Sequence, residues 1–203
     1  MPGYGVVPED QGSGLLPWAW AEQRLVASHD YWLASLWPGH PPHVMPVWGV
    51  WLDDALWFSS GLRSRKAKNL AGDARCTLTT DDSVDPVVVQ GVASRVVEPT
   101  MLRAFADALN AKYATSYDEG FFDPEVNGSY RVTLTWAFAM VQDDFSGSPT
   151  RWDFPVDAGP VVVGQLRDRA ADDAPLPSDE PSDEPADVTD EPPPGGPTPE
   201  GAP

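Results

Sequence analysis

The sequence predicts a mainly β fold, a small antiparallel barrel carrying a few short helices. Six short stretches rich in Val, Trp, Phe and Thr recur along the chain with turn residues between them. Asp53-Asp54 separates two of these stretches by only two residues, the spacing of a tight hairpin. A single long helical pattern is inserted just before the last strand.

The elements follow in order. Residues 1–17 hold many Gly and Pro and are expected to be loosely ordered. Trp18 to Ser28 reads as a short helix with Leu25 and Val26 on its apolar side. Asp30 to Trp37 is a first strand, and Pro38-Gly39-His40-Pro41-Pro42 turns it. His43 to Leu52 is a second strand. Pro46 inside it has no N–H to give a ladder, which implies an edge, a bulge or a place where a ligand meets the backbone. Ala55 to Ser59 is the third, and Arg75 to Thr80 the fourth. Pro86 to Val97 is a long fifth, where Gly91 marks a bulge or barrel corner. Pro99 opens a helix to Tyr113, with Leu102, Phe105, Ala106 and Leu109 on one face. Residues 114–128 read as a loop. Tyr130 to Val141 is the sixth strand, alternating with Val132, Leu134, Trp136, Phe138 and Met140 on one face. Thr150 to Phe154 ends the expected ordered part. From Gln165 onward there are ten Pro and eleven Asp plus Glu, against two Arg. Such a stretch buries too little to offset its ordering entropy and is expected to be disordered. The expected organisation is a lead-in (1–17), a barrel domain (18–157) and an acidic Pro-rich tail (158–203).

The formal net charge is −18, half of it in the stretch from Gln165. An acidic chain is not built as a general binder of nucleic acid, whose phosphates need basic stripes. The lone Cys76 allows neither an intrachain disulfide nor a cysteine metal cluster. No apolar run approaches the ~20 residues of a membrane helix. Met1 to Gly5 shows neither the cationic nor the apolar part of a signal peptide. A cytoplasmic protein without membrane partners is the expectation.

Against that acidity, the segment after the third strand stands out. Arg63, Arg65, Lys66 and Lys68 place four of the 13 cations within six residues. Ser64 offers an N-cap to the helix that Ala67, Leu70 and Ala71 continue, and Gly72 is placed to stop it at C′. Cations at a helix start oppose the dipole, unless an anion sits there. Backbone N–H groups, dipole and side chains would then converge on one phosphate. The alternative is a solvated basic patch.

Other chemistry has no signature. His29, His40 and His43 lack metal-ligand spacing, and His40 and His43 read as exposed loop residues. Neither a nucleophile elbow, a Walker A loop nor G-x-G-x-x-G occurs. Asp53-Asp54 and Asp143-Asp144 fall in turns, where Asp serves turn geometry. A cofactor would have to carry the chemistry of any enzyme built this way.

The pair Pro42-His43-Val44-Met45-Pro46-Val47-Trp48 and Ser64-Arg65-Lys66-Ala67-Lys68-Asn69-Leu70 resembles the pyridoxamine 5′-phosphate oxidase-like family. The likeness extends over Tyr31–Leu36, Pro42–Leu52, Leu56–Leu70, Asp73–Thr80, Val87–Val97 and, more weakly, Thr150–Phe154. It is similar above all to the split-barrel branch that uses the deazaflavin coenzyme F420. The resemblance implies a split antiparallel β-barrel, a homodimer and an isoalloxazine-type cofactor at the subunit interface. It places the phosphate on Ser60, Ser64, Arg65 and Lys66, with Arg63, Lys68 and Asn69 nearby. It sets Met45, Pro46, Val47 and Trp48 along the ring system and Trp152 as a closing aromatic. Core packing is the alternative for Met45, Trp48 and Trp152. No counterpart of the C-terminal Arg and His of true pyridoxamine phosphate oxidases is present, which speaks against vitamin B6 oxidation. The implied activity is hydride transfer between F420 and a small conjugated substrate. The alternatives are an FMN-dependent oxidoreductase and a non-catalytic flavin, deazaflavin or tetrapyrrole binder.

Overall fold

A computed structural model describes residues 14–118, 120–155 and 159–164. The order is α1 (Trp18–Ala27), β1 (Asp30–Ser35), β2 (His43–Leu52), β3 (Ala55–Gly61), α2 (Arg65–Gly72), β4 (Arg75–Thr80) and β5 (Val87–Val96). Then come α3 (Pro99–Tyr113), β6 (Asn127–Ala139), a 3-10 turn (Gln142–Asp144), β7 (Thr150–Asp153) and β8 (Val161–Gly164). The strands lie in the order β3-β2-β1-β4-β5-β6-β7-β8, all antiparallel, and β3 also pairs with β6. That pairing closes six strands into a barrel and removes two open edges.

The hairpin at Asp53-Asp54 forms as the spacing predicts. Both residues take positive φ, 50° and 55°, as a two-residue primed turn requires. Inside the barrel, Tyr31, Leu33, Leu56, Phe58, Leu78, Val89 and Val132 are fully buried. Full burial of each such side chain contributes roughly 1.5–3 kcal/mol. A second apolar cluster lies outside the barrel wall, where α3 covers Val50 and Trp57 with Leu102, Phe105 and Leu109. The rings of Trp57 and Phe105 stack with centroids 5.5 Å apart. α3 has the expected bounds, and the Glu98 carboxylate accepts from the N–H groups of Thr100 and Met101 at its start.

Several expectations need correction. Val26 is 55% exposed; Ala21 and Leu25, one turn apart, form the buried side of α1. In β6 the alternation changes phase. Gln90 pairs with Trp136 but Gly91 pairs with Leu134, so Thr135 is an extra residue. Because side chains alternate with period two, this bulge sends Ala137 and Ala139 into the core. Trp136 and Phe138 turn to the opposite face, their rings 6.3 Å apart. Gly91 supplies the room: a Cβ there would lie 2.3 Å from the Thr133 carbonyl oxygen. β6 also begins at Asn127, inside the stretch expected as loop. Trp37 lies beyond the end of β1.

Gly72 is the last helical residue of α2 and not its C′ residue; Asp73 follows as C-cap, its N–H on the Asn69 carbonyl. Thr150 to Phe154 does not end the described structure, because β8 pairs with β7. Within the lead-in, Leu16 is buried and its N–H donates to Thr150 Oγ1 at 2.8 Å. Residues 1–13 and the acidic stretch from Gln165 lie outside the described residues.

Candidate functional site

The start of α2 is built as the sequence predicts. Ser64 is the N-cap, and its Oγ accepts the Ala67 N–H at 3.2 Å. Ser60, near the end of β3, places its Oγ 2.9 Å from that of Ser64. Helix geometry leaves the N–H groups of Arg65 and Lys66 without acceptors inside the helix. No acidic residue occupies the first turn. Arg63, Arg65 and Lys68 are exposed and Lys66 is half-buried. None of the four forms an ion pair among the described residues. Two hydroxyls, free backbone donors and four uncompensated cations fit a bound phosphate.

Asn69 does something else. It is buried, and its Nδ2 donates to Ser35 Oγ at 3.1 Å. With Ala67 and Leu70 in the core, this bond pins α2 to β1. Asn69 therefore orients the helix rather than facing a ligand.

Beside α2 the barrel wall parts. The β2–β3 ladder ends at the Gly49–Phe58 pair. One step further would set Trp48 opposite Ser59 and Val47 opposite Ser60, but β3 continues along β6 alone. The half of β2 from His43 to Trp48 is thus an edge, which is where Pro46 is tolerated. The four residues expected along a ring divide between its faces. Val47 points into the core at 6% exposure. Met45 shares that face but is 45% exposed. Pro46 and Trp48 lie on the other face, with Trp48 43% exposed.

Trp152 is not at this edge. It is fully buried, packed edge-on to Trp18 with centroids 5.5 Å apart. It anchors β7 to the core.

Other residues at the site were not legible in the sequence. The Arg65 guanidinium lies 4.4 Å over the Trp37 ring, and Trp37 in turn packs on His40 and His43. Trp37 so links the start of α2 to the start of β2. His43 is half-buried, not a loop residue, and its Nδ1 is enclosed without a partner. The Ser59 hydroxyl, one residue before Ser60, is likewise enclosed and unpartnered.

Lys112 and Tyr113 at the end of α3 complete the surroundings of Trp48. Burial lowers Lys112 to about 8, against the opposing pull of Asp30 and Asp81. Burial also pushes Tyr113 up to about 12 and Tyr31 higher still. One signal pointed to Lys112: it continues the stripe Leu102, Phe105, Leu109 at helical spacing, a cation on an apolar face.

Among solved structures the chain is similar to a conserved hypothetical protein from Mycobacterium tuberculosis. The TM-score is 0.56 at 20% identity, over 70% of this chain and 89% of that chain. It is also similar to a candidate 5-nitroimidazole antibiotic resistance protein from Bacteroides thetaiotaomicron. There the TM-score is 0.53 at 12% identity, over 59% of this chain and 80% of that chain. These likenesses show the fold alone. No curated protein matches the chain. The family model of pyridoxamine 5′-phosphate oxidase matches residues 21–135, from within α1 to within β6, with the parted wall and the start of α2 inside it. The chain belongs to the family of pyridoxamine 5′-phosphate oxidase-like proteins.

Proposed function

We propose that the protein is an oxidoreductase that moves a hydride between coenzyme F420 and a small conjugated organic substrate, and that it works as a homodimer. The observation that carries this reading is the start of α2, where four cations without carboxylate partners among the described residues and two serine hydroxyls stand beside the open half of β2. One phosphate accounts for Ser60, Ser64, Arg65 and Lys66. Arg63 and Lys68 are the two remaining cations, both exposed, and suit the coenzyme's anionic tail. FMN is the second reading, since a single phosphate already satisfies the hydroxyls and the backbone donors.

When bound, the coenzyme supplies the hydride chemistry. The chain's residues bind, orient and exclude water. Lys66, Arg65 and the α2 N–H groups hold the phosphate end. Pro46 and Trp48 offer an apolar wall to a flat ring. Trp32, Val44 and Trp48 are 47%, 49% and 43% exposed on the same outer face of β1–β2. Exposed apolar patches of this kind mark interfaces, and a second copy would supply the other wall.

The test is titration of the full chain with FMN and with F420 by absorbance, followed by turnover of the reduced coenzyme on a panel of enones, quinones and nitroaromatics. Tighter binding of F420 with turnover is expected. Tighter binding and turnover with FMN would establish the second reading. Binding without any turnover would make this a non-catalytic binding protein. Light scattering should show a dimer with coenzyme bound, and a monomer would refute the shared wall.

A further inference from the structure

Lys112 and Tyr113 end α3 against β2 at the residue pair Trp48-Gly49. The Tyr113 ring lies flat on the Trp48 indole, with centroids 4.3 Å apart and planes 6° from parallel. The Tyr113 hydroxyl accepts the Gly49 N–H at 2.9 Å and donates to the carbonyl of His29. Lys112 Nζ donates to the Gly49 carbonyl at 2.7 Å and to the Tyr31 hydroxyl at 3.2 Å. It also stands 4.7 Å from the centre of the Tyr31 ring. Both backbone polar groups of Gly49 are thus held by side chains from α3. The third side is closed by packing: a Cβ on Gly49 would lie 2.7 Å from the Trp57 carbonyl oxygen and 3.1 Å from the Tyr31 ring.

A half-buried amine on an apolar stripe is costly, and a methionine would fill the same place without a charge to desolvate. The cost is intelligible if this end of β2 must be rigid. Here β2 leaves β3, so Trp48 keeps only the β1 ladder, where it pairs with Asp30, and has no strand on its other side to fix it. We propose that Lys112 and Tyr113 are positioning residues that hold the Trp48 indole in one plane and so pre-build the wall that receives the cofactor ring. This rests on reading β2 as that wall.

The charge of Lys112 makes the clamp sensitive to pH. The groups facing it are Tyr31 and Asp30 on β1, His29 just before β1, Asp81 after β4 and Tyr113 beside it. Burial brings the amine to about 8, while it holds Tyr31 and Tyr113 protonated across that range. The amine therefore loses its charge between pH 7 and 9, and its hydrogen bond to the Gly49 carbonyl weakens as it does so.

The experiment follows the indole N–H signals of the ¹⁵N-labelled full chain without cofactor, with the Trp48 signal assigned from W48F. The Trp48 signal should shift with a midpoint near pH 8 in the wild type. K112M should abolish that midpoint, and K112R should hold the low-pH position throughout. Y113L should move the signal at every pH and weaken binding of F420 and FMN by about 2- to 13-fold, the cost of re-ordering one freed side chain. Y113F keeps the stack but loses the bond to the Gly49 N–H, so the Gly49 amide signal should move while the Trp48 signal stays nearer wild type than in Y113L. These conservative variants keep the test available if Y113L does not fold. A Trp48 signal without a midpoint between pH 7 and 9, unmoved by K112M and Y113L, would overturn the clamp. W48A tests the wall separately. Wild-type affinity in W48A would remove the ring-receiving part of the proposal even with the expected spectra. Lost affinity in W48A with unmoved spectra would keep the wall and overturn the clamp.

Discussion

Nδ2 of Asn69 donates to the hydroxyl of Ser35 across 3.1 Å, and both residues are almost wholly enclosed. This one bond joins the helix whose start carries the cations to the first strand of the barrel. Removing either partner strands the other in the interior, which costs about 1–3 kcal/mol. Asn69→Ala and Ser35→Ala should each lower the urea midpoint by an amount in that range. The double variant should lose much less than the two losses added together, because each single change already breaks the same bond. Fully additive losses would show that the bond contributes nothing.

Two glycines invite opposite outcomes. At Gly91 an added methyl would meet the Thr133 carbonyl at 2.3 Å and Val132 Cγ1 at 2.8 Å. The near atom is backbone of a paired strand and cannot swing aside, so Gly91→Ala should destabilise by about 1–3 kcal/mol. At Gly72, at the end of α2, nothing lies within 4 Å of the added carbon. Gly72→Ala should stabilise by about 0.4–1 kcal/mol by restricting the unfolded chain. Thermal unfolding of the two variants beside the wild type decides both.

The Gly91 bulge also shows where sequence reading stops. A bulge or corner at Gly91 was legible because an isolated glycine in a strand pattern has few other uses. Which partner residue becomes extra was not legible, since that depends on how β5 and β6 register around a closed barrel. One unpaired residue, Thr135, exchanges Trp136 and Phe138 for Ala137 and Ala139 at the core. The start of α2 was legible down to its N-cap, because the Ser64 to Ala67 bond is local. Asn69 and Trp152 were not, because their surroundings come from β1 and from α1, distant in sequence. His43 and Ser59 gave no signal, because their surroundings come from Trp37 and from Ser129 across the β3–β6 ladder.

Lys112 makes a signed prediction for stability against pH. Its amine sits at about 8 in the fold against 10.5 when free. Between those values the unfolded chain binds more protons than the folded one, so stability should rise with pH across that window. Cys76 acts in the opposite sense. Burial pushes its thiol from 9.0 up to about 12, so above about pH 9 the unfolded chain ionises first and stability falls. The difference between wild type and Lys112→Met isolates the lysine. Urea midpoints from pH 7 to 10 should show that difference changing steadily above pH 8, in the direction of a wild type gaining on the variant. A difference independent of pH would mean that the amine is not desolvated.

Lys66 gives the sharpest prediction for the phosphate reading. It is the half-buried member of the four cations at the start of α2, so solvent screens it less than its neighbours. A charge-assisted contact to a phosphate contributes on the order of 1.5–3 kcal/mol. Lys66→Ala should then weaken binding of F420 and FMN by about 10- to 150-fold. The fold should be unharmed, since removing one cation from a helix start relieves repulsion by the dipole. Arg131 is the control, because its guanidinium is engaged on Thr133 Oγ1 and the Asp53 carbonyl, beside the hairpin that joins the other ends of β2 and β3. Arg131→Ala should leave affinity within about twofold. Raising the salt concentration should weaken wild-type binding and narrow its lead over Lys66→Ala, because screening acts on the contact that the variant lacks. Equal affinities of wild type and Lys66→Ala for both coenzymes would reduce the four cations to a solvated patch and remove the observation on which the functional reading rests.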